Sequence, residues 1–214
     1  MSTSVIGQPV TRIDGKLKVT GGARYAADYP IENLAYGVGV SSTIASGRIL
    51  KIDVSTAEAM PGVLAILRHD NFPKLYRPAN AFEPSSRAGE SRPPFDDDNI
   101  YYYGQFVALV IADTFERALI AAAAVHVDYD AKKPSVFLNQ GTPNETPAAQ
   151  HHRGDAESAF KQAPVQLEET YTTPVETHNP MEMHATVAVW DGKRYTLYES
   201  SQGVMNHQNV LAQV

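Results

Sequence analysis

FVALVIADTFERALIAAAAVHVDY, residues 106–129, decides the fold. The seven unbroken apolar residues of 106–112 suit a strand covered on both faces. Asp113 and Glu116 then repeat the spacing of a helix cap followed by a glutamate, and the helix they open has no polar side chain between Arg117 and His126. A helix of that composition packs against a sheet and does not lie free on the surface. VHVDY (125–129) returns to strand character.

An earlier stretch has the same order. GRILKIDV (47–54) reads as a strand, Ser55 and Glu58 form an S-x-x-E capping box, Pro61 and Gly62 end a short helix, and VLAIL (63–67) resumes a strand. Between the two strand-helix-strand units lies the polar, proline-rich stretch 74–99, a long loop of the kind that is either functional or a solvated insertion. A second polar stretch, 132–154, reads as a linker, in which His151 and His152 are solvated.

Beyond it, DAESAFKQA (155–163) predicts a short helix stopped by Pro164. VQLEETYTT (165–173) and MEMHATVAVW (181–190) predict strands, and the Asp191-Gly192 pair predicts a tight hairpin turn into KRYTLYES. The final run, 201–214, opens a helix with no stop signal, so the sequence is expected to be the N-terminal portion of something longer.

Composition removes several classes of function. The 18 basic and 24 acidic residues give a net charge of -6 with no basic run, which argues against a nucleic-acid partner. No apolar stretch approaches the roughly 18–20 residues that span a bilayer, so no membrane association is expected. MSTSVIGQPVTRIDG at the N-terminus lacks the pattern of an export signal, and a cytoplasmic location is expected, with export on a partner's signal left open. The absence of cysteine removes disulfides, thiolate zinc sites, cysteine nucleophiles and cysteine-held iron-sulfur clusters from this segment.

HNPMEMHATVAVW (178–190) holds the densest group of chemical side chains. In a strand, Met181, Met183, Ala185, Val187 and Val189 point one way, and Glu182, His184, Thr186, Ala188 and Trp190 the other. His178 joins Glu182 and His184 only if the chain stays extended through Pro180. Zinc would require three or four ligands of fixed geometry, and H-x-x-x-E-x-H matches no helix-borne zinc motif. We read the three as hydrogen-bonded residues beside a pocket. Ser200 and Ser201 lack the G-x-S-x-G setting of a nucleophile, and Gly21-Gly22 opens no phosphate loop.

Six stretches in order carry a resemblance. They are 7–29 (GQPVTRIDGKLKVTGGARYAADY), 45–67, 102–130, GDAESAF (154–160), 178–190 and SSQGVMNHQNVLAQV (200–214). Together they resemble the large, molybdenum-cofactor-binding subunit of the xanthine dehydrogenase and aldehyde oxidase family. The resemblance implies a mixed α+β chain: an N-terminal extension (1–19), an α/β hammerhead domain (20–134), a linker (135–159), and the start of the first molybdopterin-binding domain (160–214).

It further implies that His178, Glu182 and His184 lie on a strand near the pocket and ligate nothing, the metal being held by the pterin. Gln202, with Ser201 and Gly203 beside it, occupies the place of the family's S-T-Q glutamine, which hydrogen-bonds an oxygen ligand of molybdenum. Ser201 replaces the common threonine, and Phe106 stands where many relatives carry proline. The family's G-G-G-F-G segment and its general-base glutamate are absent, so no catalytic residue falls in this segment and the 214 residues alone are expected to be inactive.

The whole enzyme implied is a molybdenum hydroxylase oxidising aldehydes or N-heterocycles with water as oxygen source. Its cofactor is molybdopterin, with the cytosine dinucleotide form left open. The [2Fe-2S] clusters and FAD are expected on separate iron-sulfur and flavin subunits, as in bacterial heterotrimers. Two other readings compete: a hammerhead module that assists subunit assembly without chemistry, and a metal-dependent hydrolase built on His178, Glu182 and His184.

Overall fold

A computed structural model describes residues 6–75, 93–135 and 153–212. The middle of the expected long loop (76–92) and most of the expected linker (136–152), with His151 and His152, lie outside the described residues. The chain forms two compact units: Met1–Pro134 together with Glu182–Val214, and Ser135–Met181.

The larger unit begins with helix α1 (Gly15–Val19) and a single 3-10 turn (Ala26–Asp28). Strands β1 (Tyr36–Ser41) and β2 (Gly47–Asp53) lead into helix α2 (Ser55–Glu58) and strand β3 (Val63–Arg68). After β4 (Asn99–Ile100) come β5 (Phe106–Ala112), helix α3 (Phe115–Ala123) and β6 (His126–Ala131). Both strand-helix-strand units are therefore present, yet the strands flanking each helix do not pair with each other. One sheet has the order β1-β5-β3 and a second β4-β2-β6, with every pairing antiparallel. Each helix carries the chain from one sheet to the other.

The reason lies in β5. Val107 is 2 % exposed and packs with Ile49 and Ile100 of the second sheet, whereas Ala108 and Val110, both fully buried, pack with Val54, Ala57, Ile66 and Ala121 under the helices. A strand apolar on both faces must be covered on both and flanked on both edges. Val40 and Ile52 touch both clusters and join them into one core.

Local details differ from the sequence expectation. Ser55 does not cap α2: it is the first helical residue, and the Asp53 carboxylate takes hydrogen bonds from its backbone N–H (3.1 Å) and its hydroxyl (2.7 Å). Those bonds, led by the Ser55 hydroxyl and followed by Lys51, hold the Asp53 carboxyl well below the usual carboxylate range. Likewise Thr114, one residue later than expected, caps α3 by accepting from Arg117 N, leaving Asp113 to pair with the Arg117 guanidinium. Helix α3 is only half covered. Ala118 and Ala121 face the sheet fully buried, while Leu119 and Ile120 are exposed, so its lack of polar residues overstated its burial. Exposed Leu50 and Leu64 fall where the pairings of β2 and β3 shift register, between Ile49 and Lys51 and between Val63 and Ala65, which turns each out of the core.

In the smaller unit, helix α4 (Ala156–Gln162) forms as expected, with the Asp155 side chain accepting from Ser158 N at 3.0 Å. The strand expected at 165–173 does not form. Val165, Leu167 and Tyr171 are all exposed, and no described strand pairs with this segment, whose backbone is left to water.

Gly47 marks the tightest backbone approach. Its φ is +147°, and a Cβ there would sit 2.2 Å from the Asp130 carbonyl oxygen across the β2–β6 ladder. Gly47→Ala is expected to cost more than ~2 kcal/mol, whereas Gly104→Ala, at φ +85° with open space around it, costs only ~1 kcal/mol of backbone strain. Denaturation midpoints of the two variants measure the difference.

Candidate functional site

Strands β7 (Thr186–Trp190) and β8 (Tyr195–Glu199) form an antiparallel hairpin, paired from Thr186↔Glu199 to Trp190↔Tyr195. Val187 and Val189 turn inward and Thr186, Ala188 and Trp190 outward, so the expected alternation holds within the strand. It does not extend back through 178–185. Met181 and Met183 are exposed, because β8 ends at Glu199 and leaves no ladder partner for Ala185 and the residues before it. The implied strand across His178, Glu182 and His184 is thus corrected to an irregular approach to β7.

On the inward face, Tyr198 stacks on Tyr29, which follows the 3-10 turn, with ring centroids 4.0 Å apart and planes inclined by 23°. This contact seats the hairpin on the N-terminal part of the larger unit and adds aromatic packing beyond simple burial. A groove of about 400 Å³ opens beside it, lined by Arg24, Tyr25, Tyr29, Glu182, Glu199 and Ser200 among others. A second, of about 200 Å³, lies between His184, Ala185, Thr186, Glu199 and Ser200.

Both grooves border the turn Ser200–Gly203, which links β8 to helix α5 (Val204–Leu211). The Ser200 hydroxyl donates to Glu182 Oε1 at 2.7 Å. Ser201 Oγ accepts from Gly203 N at 3.2 Å, and Gly203 O accepts from His207 N at 2.9 Å. Glu199 reaches in two directions: its Oε2 accepts from Thr186 Oγ1 at 3.3 Å, and its Oε1 meets His207 Nδ1. Gln202 itself is exposed at the crest of the turn.

Of the residues expected from sequence, Glu182, Ser201, Gln202 and Gly203 are therefore brought together around one turn. His184 lines the smaller groove, and His178 lies exposed in the unit 135–181. Among the described residues no three histidine or carboxylate side chains gather as a metal-ligand set. Glu199 and His207 went unnoticed in the sequence. The available signal was their bracketing of S-S-Q-G, with a carboxylate at the end of one element and an imidazole one turn into the next. A third groove, of about 160 Å³, is lined by His69, Phe95, Asp97, Tyr101 and Gln105 and shares no residue with this site.

The turn suits a group that presents oxo oxygens. Gln202 offers an uncharged N–H donor, and the first turn of α5 carries no acidic side chain, so its free amide end stays favourable to negative charge. A pterin-held molybdenum centre would find Gln202 able to donate to an oxygen, with Ser201 and Gly203 shaping the backbone beside it.

The hairpin has its own pH-sensitive fastening. The closing loop is four residues long, Asp191–Arg194, instead of a two-residue Asp-Gly turn. The Asp191 carboxylate accepts from Lys193 N (2.8 Å) and Arg194 N (2.7 Å), and these bonds, Lys193 first, hold its pKa below the ordinary value. A depressed folded pKa adds stability that is complete above the unfolded value of ~4 and is lost as pH falls through the folded value. NMR titration should show the Asp191 carboxyl titrating below that of an unstructured aspartate, and Asp191→Ala should remove the acid-dependent loosening of the hairpin.

Comparison with known proteins gives matches along most of the chain. The family model "Aldehyde oxidase and xanthine dehydrogenase, a/b hammerhead domain" matches residues 20–133, and the molybdopterin cofactor-binding domain matches residues 138–214. The aldehyde oxidoreductase molybdenum-binding subunit PaoC of Escherichia coli (strain K12) is 40% identical over 207 residues, covering 92% of this chain and 27% of that protein. The nicotinate dehydrogenase large molybdopterin subunit of Eubacterium barkeri is 29% identical over 202 residues, covering 88% and 45%. The solved aldehyde oxidoreductase of Desulfovibrio gigas superposes with a TM-score of 0.54 at 26% identity, covering 72% of this chain and 19% of that one. The chain thus spans between about a quarter and a half of the length of these curated relatives. With a hammerhead match over more than half its residues and a molybdopterin-domain match over most of the rest, the chain belongs to the aldehyde oxidase and xanthine dehydrogenase family of molybdenum hydroxylases.

Proposed function

We propose that this chain is the N-terminal part of the subunit that holds the molybdenum cofactor in a hydroxylase of aldehydes or N-heterocycles. The aldehyde reaction balances as aldehyde plus water giving carboxylic acid, two protons and two electrons. The electrons leave through [2Fe-2S] clusters to FAD on partner subunits, the assembly is cytoplasmic, and the pterin is molybdopterin, with its cytosine dinucleotide form as the variant to test by cofactor extraction. In this reading the hammerhead domain corresponds to 20–134 and the folded part of the first cofactor-binding domain begins near 160, within the 138–214 stretch that its family model matches. Because the relatives are so much longer, the walls and general base that complete the pocket belong to the rest of the subunit, and this chain alone is inactive.

The observation that carries the proposal is the exposed Gln202 carboxamide on a turn otherwise tied down by Ser200, Ser201 and Gly203. When bound, the molybdenum centre supplies a Lewis acid and a two-electron sink. This chain's residues do the positioning. Gln202 donates an amide hydrogen to an oxygen of that centre without adding charge, and Ser201 and Gly203 keep the amide at the crest of the turn. Glu182 fixes Ser200 and is thereby engaged as an acceptor; it is not a metal ligand in this reading.

In the complete, cofactor-loaded enzyme, Gln202→Ala is expected to lower kcat ~100-fold, the usual cost of removing one preorganised donor at a reacting oxygen, with molybdenum content unchanged. Steady-state kinetics beside metal analysis checks this. Full activity in that variant would remove Gln202 from the site.

A further inference from the structure

Gln202 is exposed on a turn of irregular backbone, which raises the question of what stops its amide from sampling many directions. We propose that Glu199 and His207 form a brace across the turn and act as positioning residues for Gln202. The inference rests on the reading of Gln202 just given.

The geometry is that of a clamp. Glu199 is the last residue of β8 and His207 the fourth of α5, so their contact joins the two elements between which S-S-Q-G is strung. His207 closes the turn through its ring Nδ1 to Glu199 Oε1, while its backbone N–H to Gly203 O at 2.9 Å is the first ordinary hydrogen bond of α5 and sets where the ring starts. Glu199 is held from behind, since its other oxygen accepts from Thr186 on β7, its ladder partner. The carboxylate is therefore fixed by the hairpin and transmits that fixed position to the helix.

Side-chain exposures of 18% for Glu199 and 39% for His207 place the contact partly out of water, where a hydrogen bond to a carboxylate is worth more than in an open surface pair. Asparagine can offer its amide N–H near the position of Nδ1, which provides a conservative replacement.

The test uses the complete, molybdenum-loaded enzyme and the variants H207A, H207N, Q202A and Q202A/H207A. Hydrogen exchange of the peptide covering 200–207 reports the brace independently of activity. H207A is expected to speed that exchange ~10-fold, as loss of one charge-assisted hydrogen bond allows, and to lower kcat ~10-fold with KM within ~2-fold. H207N restores most of both. In the Q202A background H207A causes no further loss of kcat, because residues that act through one another are not additive.

Additive losses in the two backgrounds, unchanged exchange in H207A, or loss of molybdenum from H207A would each overturn the proposal. Undiminished kcat in Q202A would instead overturn the role of Gln202 and with it the catalytic consequence of the brace, while the exchange data still report whether the turn is held.

Discussion

Strand β5 has no face that water can reach without loss. Val107 is buried against the second sheet while Ala108 and Val110 are buried under the helices, so the strand has to be the middle of its sheet, with β1 and β3 on its edges. Because α2 and α3 each leave one sheet and deliver the chain to the other, the same burial ties both sheets together. The alanines at 57, 118 and 121 allow the helices to approach closely enough to complete the cover. Everything that reaches the candidate site is attached to this frame: the segment Tyr25–Tyr29 precedes β1, Tyr29 receives Tyr198, and Tyr198 carries the hairpin from which the Ser200–Gly203 turn projects.

How far the fold was legible follows from the same physics. The apolar run of β5, the two helices beside it and the Asp191-Gly192 hairpin are written in local pattern, and they appear where the pattern places them. Strand β1 was missed because Gly37 and Gly39 dilute its β character. The structure uses Gly39 as the place where the Phe106 ring lies across the strand, too close for any Cβ. Sheet membership was not legible at all, since strand-helix-strand order suggests neighbours and only the packing of β5 reveals antiparallel partners far away in sequence. At 165–173 a strand-like run with no partner among the described strands remained irregular, which shows that strand-like composition alone does not make a strand.

The candidate site divides in the same way. S-S-Q-G was legible only through its resemblance to a family motif, which supplied a role for Gln202; nothing in its composition sets it apart from an ordinary polar turn. The surrounding hydrogen bonds could not be read: Glu199, Thr186 and His207 are brought together by hairpin register and by the direction in which α5 leaves the turn. Glu182, weighed earlier as a possible metal ligand, is occupied with the Ser200 hydroxyl. The chemistry of the turn is consistent with this division, in that carboxylates bind protein donors at its base and an uncharged amide is left at its crest.

The most direct measurement is a crystal structure of the complete subunit with its cofactor bound. The account predicts the Gln202 side-chain nitrogen within hydrogen-bonding distance, ~3 Å, of an oxygen carried by molybdenum. A Gln202 amide directed into bulk water, or a complete subunit that binds no pterin, would contradict it.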